Sequence, residues 1–454
     1  MLKKVHDPSE VINSDIIRKG SLLYCSGNAA TPQYLLKQLI KDTSITDVSL
    51  LSVLLLGDIE ELFSVETCER ITHRVIFNGP HSRKAMNQGR AKYQLMHLSD
   101  IPKQVREYLK PNIVLVSVCG PDNGGNFSLG TTVEGILSAI YSAKENNGIV
   151  IAERNARMPF VLGTTIHESL IDYIIDSDYD LPLSPIKQPD DHSIRIAQMI
   201  ADLFITDGCT LQYGIGEVPE AVTDAIIDKG VKDLGIRTEL FADAMRKLVE
   251  KGIVTNKYLN HRFSKATIFL AGNRGGYNWF DCNSSVQSRP SDETNSILRI
   301  ASQPKMIAIN SAIGVDLHGN IWADSLHARH IYSGVGGQSD FLRGAYLSPG
   351  GVPIIAMKSK TPNGQSKILE QCPEGITTTA ISPDPVIIIT EYGVFDPRGL
   401  SLTEHAVGIA HLAEPNTREK LLKHIFDSEA FHTSHRAKTL KNVKGFIPYE
   451  QLIH

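Results

Sequence analysis

The 454-residue sequence has no long hydrophobic run, no excess of charge of one sign and no paired cysteines, and each absence removes a class of function. Its richest apolar stretch, "VSLLSVLLLG", falls well short of the ~18–20 residues that span a bilayer. The start, "MLKKVHDPSEV", turns polar too soon for a secretory signal. A cytoplasmic protein that leaves membranes alone is expected. With 46 Lys and Arg against 50 Asp and Glu, the formal charge of -4 offers no broad basic field to attract nucleic acid. Cys25, Cys68, Cys119, Cys209, Cys282 and Cys372 lack the spacing of a zinc site or a small disulfide scaffold, so buried free thiols and no metal are expected. No G-x-S-x-G elbow anchors serine-hydrolase chemistry.

What is present is a soluble composition, 42% hydrophobic and 21% charged, in a chain too long for one core. Short apolar runs ("IVLVSV", "GIVIAE", "ATIFLAG", "MIAIN", "VIIIT") alternate with helical patterns such as "VEGILSAIYSAKE". Continuous apolar strands are buried on both faces, which points to α/β architecture with mostly parallel sheets. The segment "SDYDLPLSPIKQPDDHS" concentrates Pro and Asp and reads as a linker, so domains are expected at 1–180 and 194–454. A strand, glycine loop, proline, helix pattern occurs in both parts, at "SLLYCSGNAATPQYLLKQLI" and "CTLQYGIGEVPEAVTDAI". Two similar open α/β halves follow.

Candidate sites come next. In "QYGIGEVPEAV" the glycines let the backbone approach a ligand, and the helix that follows offers free N–H groups to an anion. A GxG without a third glycine or a Walker lysine is, on spacing alone, more readily read as a tight turn. In "LGIRTELFADAM", Thr238 reads as an N-cap and Glu239 as the first helical residue, with Gly252 ending the helix. That position, with Arg237 beside it, would keep the carboxylate ionised at or below the ~4.3 of a free glutamate. It is either helix-end decoration or a nucleophile towards an activated acyl group. Gly334, Gly336 and Gly337 in "YSGVGGQSD" form either a surface loop or an oxyanion-binding concavity. Glu391 follows an apolar strand where α/β proteins place ligand contacts, though such a position is more often a loop carboxylate. "HARH" (His327, His330) suggests no third metal ligand, and the arginines of "AERNARMP" fit a charged strand exit as well as a phosphate.

The stretches "GNAATPQYLL", "VSVCGPDNGGNFSLGTTVE", "ERNARMPFVLG", "LQYGIGEVPEAV", "GIRTELFADAMRKLVEKGIVTN", "INSAIGVDLHGN", "YSGVGGQSDFLRGA" and "ITTTAISPDPVIIITEYGVFDPRGLSL" together resemble the acetyl-CoA hydrolase/transferase family of class I coenzyme A transferases, most nearly its 4-hydroxybutyrate branch. The resemblance implies a two-domain α/β fold with the active site between the halves and a catalytic glutamate at Glu239. It implies coenzyme A contacts at Gly214, Ile215, Gly216, Glu217 and Val218, and at Gly334, Gly336, Gly337, Gln338 and Gly344. It further implies transfer of CoA between a short-chain acyl-CoA and a free carboxylate through a glutamyl-CoA thioester. Hydrolysis by the same glutamate, or CoA binding without chemistry, are the alternatives. Acyl-CoA would be substrate rather than resident cofactor, and a homodimer is expected. Three positions depart from the family pattern: Arg237 for histidine, Gly314 for glutamate or glutamine, which is expected to open space and remove a polar group, and the turn "PDNGG".

Overall fold

The computed structural model describes residues 2–184, 186–328, 330–427, 431 and 443–452. Eight strands make the first sheet: β1 (Lys3–Val5), β2 (Leu22–Cys25), β3 (Val48–Ser52), β4 (Ile71–Val75), β5 (Ala91–Tyr93), β6 (Ile113–Val118), β7 (Ile149–Asn155) and β8 (Tyr173–Ser177). Their order is β1-β8-β7-β6-β2-β3-β4-β5, and every pairing is parallel. The apolar runs explain this. Alternate residues of β6 go to opposite faces, Ile113 and Leu115 to one core, Val114, Val116 and Val118 to the other, and all are buried. A strand buried on both sides needs helices on both sides, which parallel crossovers supply.

The second sheet comprises β9 (Thr210–Tyr213), β10 (Gly235–Ile236), β11 (Met306–Asn310), β12 (Val352–Ala356), β13 (Ile387–Thr390), β14 (Gly393–Phe395) and β15 (Phe446–Pro448). In the order β10-β9-β11-β12-β13-β14-β15 the first five strands are parallel and the last two pairings antiparallel. Each sheet therefore reverses its strand order once, between β2 and β6 and between β9 and β11. Such switch points open a crevice beyond the carboxyl ends of the strands, where open α/β sheets bind ligands.

One apolar cluster joins the halves, bringing Ala29, Ala30, Met158 and Val161 together with Leu211, Tyr213, Phe241, Phe269 and Phe280. The proline-rich segment between the sheets is extended but tied down. Tyr179 donates to the Thr31 carbonyl and to Glu153, Leu181 is buried, and the Ser184 N–H reaches the Ala271 carbonyl at 2.9 Å.

Two local expectations change. "ATIFLAG" does not enter a main sheet; its Ile268–Phe269 pairs with Leu240–Phe241 and, by a single bridge, with Thr132 of the first half. Of the cysteines, Cys25 and Cys209 are buried, but Cys282 is exposed. Among the described residues no helix is long and apolar enough to cross a membrane.

Candidate active site

Glu239 follows β10 at a bend just before the short strand Leu240–Phe241, not at a helix start. The helix begins at Asp243, with Ala242 at its N-cap, and the Thr238 hydroxyl donates to the Leu240 carbonyl rather than capping. The short pairing of Leu240–Phe241 with Ile268–Phe269 captured these residues instead, because it buries Phe241 and Phe269 in the joint core. The helix does end as expected, with Gly252 in the left-handed region at φ +69° beyond Glu250. The Glu239 backbone carbonyl accepts from the N–H groups of Thr267 and Ile268 at 3.0 and 2.9 Å, which fixes its place at the seam between the halves.

A positive helix end does meet this carboxylate, but it belongs to another helix. Gly336 and Gly337 lead into the helix Gln338–Leu347, with Gly337 as its N-cap. A Cβ on Gly337 would collide with Glu239 Oε2 and Asn295 Nδ2, and one on Gly336 would stand 4.0 Å from Glu239 Oε1. Only glycine lets this backbone come so close. Asn295 Nδ2 donates to Glu239 Oε2 at 3.1 Å, while the Asn295 carbonyl oxygen is held by the Thr294 hydroxyl at 2.7 Å. The first half closes the other side. Its Phe77 ring lies against Gly334 and Gly336, and the Leu98 N–H donates to the Gly336 carbonyl at 3.0 Å.

Burial in this seam pushes the Glu239 carboxyl up to about 7, against the pull of Asn295 and the Gly337 N–H; nearby Asp340 adds to the rise. The expectation of a lowered value is thereby overturned. Arg237 does not supply the opposing charge: its buried guanidinium turns away and donates to the Glu293 carbonyl, and burial lowers it to about 10. Asp340, in the first turn of Gln338–Leu347, accepts from the Ser99 hydroxyl at 2.8 Å and is pushed up to about 6 by burial.

The loop after β9 stands at the second sheet's switch point. Gly214 and Gly216 have open space where a side chain would be, Gly216 has φ +128°, and Ile215 is exposed. Glu217 opens the helix Glu217–Lys229, and its carboxylate is held by Lys358, which also pairs with Asp190 at 2.7 Å. Val218 is partly buried against the joint core. Gln212 and Asn310 exchange side-chain hydrogen bonds across the crevice, and Gln338 Nε2 donates to the Ser311 carbonyl at 2.7 Å. Gln338 thus ties the crevice to the loop that faces Glu239.

Gly344 is not brought to this place. It lies inside the helix Gln338–Leu347, where a Cβ would strike Ile300 Cγ2 at 2.5 Å, so its role is close helix packing. Glu391 is buried and spent on Ser359, accepting from its N–H at 2.8 Å and its hydroxyl at 2.6 Å. Arg154 pairs with Asp176, and Arg157 with Asp178 and Asp180, as a charged strand exit would. His327 and His330 meet ring to ring at 5.3 Å across a hairpin.

The chain matches the description "Acetyl-CoA hydrolase/transferase N-terminal domain" over residues 1–183 and "Acetyl-CoA hydrolase/transferase C-terminal domain" over residues 272–425. It is 33% identical to a succinyl-CoA:acetate/propanoyl-CoA:succinate CoA transferase of Fasciola hepatica, over 90% of this chain and 86% of that protein. A 4-hydroxybutyrate coenzyme A transferase of Clostridium kluyveri is 37% identical over 77% of this chain and 81% of the relative. The crystal structure of RipA from Yersinia pestis superposes with a TM-score of 0.86 at 29% identity, covering 94% and 97% of the two chains. The chain belongs to the acetyl-CoA hydrolase/transferase family.

Membership in that family makes the departures informative. Gly314 opens no space: the Trp322 indole fills it, so that a Cβ there would overlap the ring. In "PDNGG", Asp122 folds the exposed turn by accepting from the N–H groups of Gly124 and Asn126 at 2.8 and 2.9 Å, and the turn's geometry stays local. Sequence reasoning missed Asn295, in "DETNS", and Asp340, because their proximity to Glu239 depends on chain crossings 56 and more residues away.

Proposed function

We propose that the protein is an acyl-CoA:carboxylate CoA-transferase that works by a ping-pong mechanism through Glu239. The observation that carries this reading is the contact of the Glu239 carboxylate with the Gly336–Gly337 backbone at a helix start and with Asn295 Nδ2, in a seam that both halves close. Ionised Glu239 attacks the thioester carbonyl carbon, and the C–S electron pair leaves with CoA thiolate, forming a mixed anhydride. The thiolate attacks the glutamyl carbonyl; its C–O bond breaks, releasing the first carboxylate and leaving glutamyl-CoA. An acceptor carboxylate reverses both steps. One negative charge moves from Glu239 to sulfur to the departing carboxylate, so no proton enters or leaves. The tetrahedral oxyanions are met by the glycine N–H groups and the Asn295 amide.

The uncovered loop Gly214 to Val218 is assigned to the CoA arm. Because Glu217 already places an anion at that helix start, its backbone suits the neutral amide-bearing part of CoA better than a phosphate. Acyl groups are short and aliphatic or hydroxylated in this reading. Residues 1–180 and 194–454 are the two folding units, and the working form is a homodimer in the cytoplasm.

Borohydride treatment after loading with acetyl-CoA tests the mechanism, since reduction of a glutamyl thioester inactivates the protein at Glu239. Failure of acetyl-CoA to sensitise the protein while exchange of labelled acetate into thioester proceeds would refute it. Release of free CoA without acceptor would instead assign hydrolysis.

A further inference from the structure

A second carboxylate shares the seam, and the transfer chemistry does not use it. Glu134 lies between β6 and β7, beside the first sheet's switch point, only 1% exposed. Its Oε1 accepts from Asn28 Nδ2 at 2.8 Å, Asn28 coming from the loop after β2, while Oε2 has no hydrogen-bond partner. Its backbone is held at φ +41°, a conformation that persists in a non-glycine residue only when its surroundings impose it, and that clusters at functional sites. Two short routes join it to Glu239. The Glu134 N–H donates to the Thr267 hydroxyl at 2.8 Å, and the Thr267 N–H donates to the Glu239 carbonyl at 3.0 Å. The Glu134 carbonyl accepts from Ser291 at 3.1 Å, at the start of the short helix that leads to Asn295.

We propose that Glu134 is a positioning residue that keeps the first half's side of the seam uncharged: in its protonated form it admits the acceptor carboxylate, and on ionising it adds a charge to that of Asp340 and repels that anion. This inference rests on the proposed transferase reading, in which one charge circulates and every acceptor arrives as an anion. A fixed charge at Glu134, added to that of Asp340, would oppose acceptor entry, because at that stage Glu239 is a neutral thioester and the acceptor brings the only mobile charge.

The surroundings fit this role. Tyr24 and Cys25 on β2, on opposite faces of the strand, both feel the charge of Glu134, and both are kept neutral by burial. Glu239 is the one charged group that acts on it, and among the described residues no lysine or arginine offsets it. Burial, with the field of Glu239, pushes the Glu134 carboxyl up to about 8 despite the Asn28 hydrogen bond.

The test measures KM for acetate and for acetyl-CoA between about pH 6 and pH 9.5 with the full chain. For the wild type, KM for acetate should rise about tenfold across this range, with a midpoint below 8 because the Glu239 field is absent in the thioester, while KM for acetyl-CoA stays level, because only acetate enters as a free anion beside Glu134. Glu134→Gln keeps the acceptor for Asn28 and should abolish the rise; Glu134→Asp should retain it. If Glu134→Gln does not fold, the wild type still decides: discharge of the glutamyl thioester by neutral hydroxylamine should lack the alkaline rise that acetate shows. A pH-independent acetate KM, or the same rise in Glu134→Gln or with hydroxylamine, overturns the inference. Borohydride trapping at Glu239 in the same preparations separates the two readings: adduct present with a level KM sinks only the role of Glu134, and adduct absent sinks the transferase mechanism.

Discussion

At the scale of the residue, the main physical conflict is between burial and ionisation at Glu239. Burial favours the neutral acid, while the Asn295 amide and the Gly337 N–H favour the carboxylate, and the balance rests at about 7. As the proposed nucleophile, Glu239 must be ionised, so kcat/KM for acetyl-CoA should fall about tenfold per pH unit below pH 7. Asn295→Ala removes a donor to the ionised form. The acid limb of that profile should then move to higher pH and activity at pH 7 should fall by about ten- to a hundredfold, with stopped or continuous assays across pH as the check. Glu239→Asp shortens the reach by ~1.5 Å and should cost two orders of magnitude or more where near-attack geometry governs the rate.

At the scale of the element, the helix Gln338–Leu347 has one glycine at its N-cap and another inside it, with different work. Gly337 admits the Glu239 carboxylate and Gly344 admits Ile300. Gly337→Ala drives its Cβ into the ends of Glu239 and Asn295, flexible groups that can move aside; activity should drop more than a hundredfold with a thermal midpoint within a few degrees of wild type. Gly344→Ala meets the Ile300 Cβ and Cγ2 inside a packed helix pair. It should cost about 1–3 kcal/mol of stability and leave kcat of the folded protein unchanged, as melting curves and active-site-normalised rates will tell. The strands were legible in sequence because runs such as "IVLVSV" are continuous, and the loop after β9 because glycine and proline bracket it. The start of the helix Asp243–Glu250 was not. Thr238 and Glu239 have good capping chemistry, but the tertiary pairing of Phe241 with Phe269 outweighed that local preference. The helix end that faces Glu239 is a hundred residues away in sequence, and no spacing rule connects the two.

At the scale of the whole molecule, the seam between the halves buries Glu134 and Glu239, as well as Asp340, where water would have kept them ionised. Glu134 and Glu239 are each raised above their ordinary values, so their contribution to stability is present at low pH and is lost as pH rises through about 7 and 8. Glu134→Gln should therefore melt at a higher temperature than wild type at pH 8, and the gap should close towards pH 4.5. Calorimetry of both proteins across that range checks the sign, and a gap that widens on acidification would contradict it. The resemblance between the halves extends to their loops. Where Gly214 and Gly216 leave the second half's helix start uncovered, the first half fills the matching end of its helix Gln33–Lys41 with its own carboxylate, Glu153 Oε2 accepting from the Leu35 N–H at 3.0 Å. One half is thus closed to an outside anion at that end, while the other remains open to a ligand.

The most direct measurement is peptide mass spectrometry of the protein after acetyl-CoA loading and borohydride reduction. The account predicts a reduced side chain at Glu239 and at no other carboxylate, lost when an acceptor carboxylate is added first. An unmodified Glu239 in a preparation that still exchanges acetate into CoA thioester would contradict it.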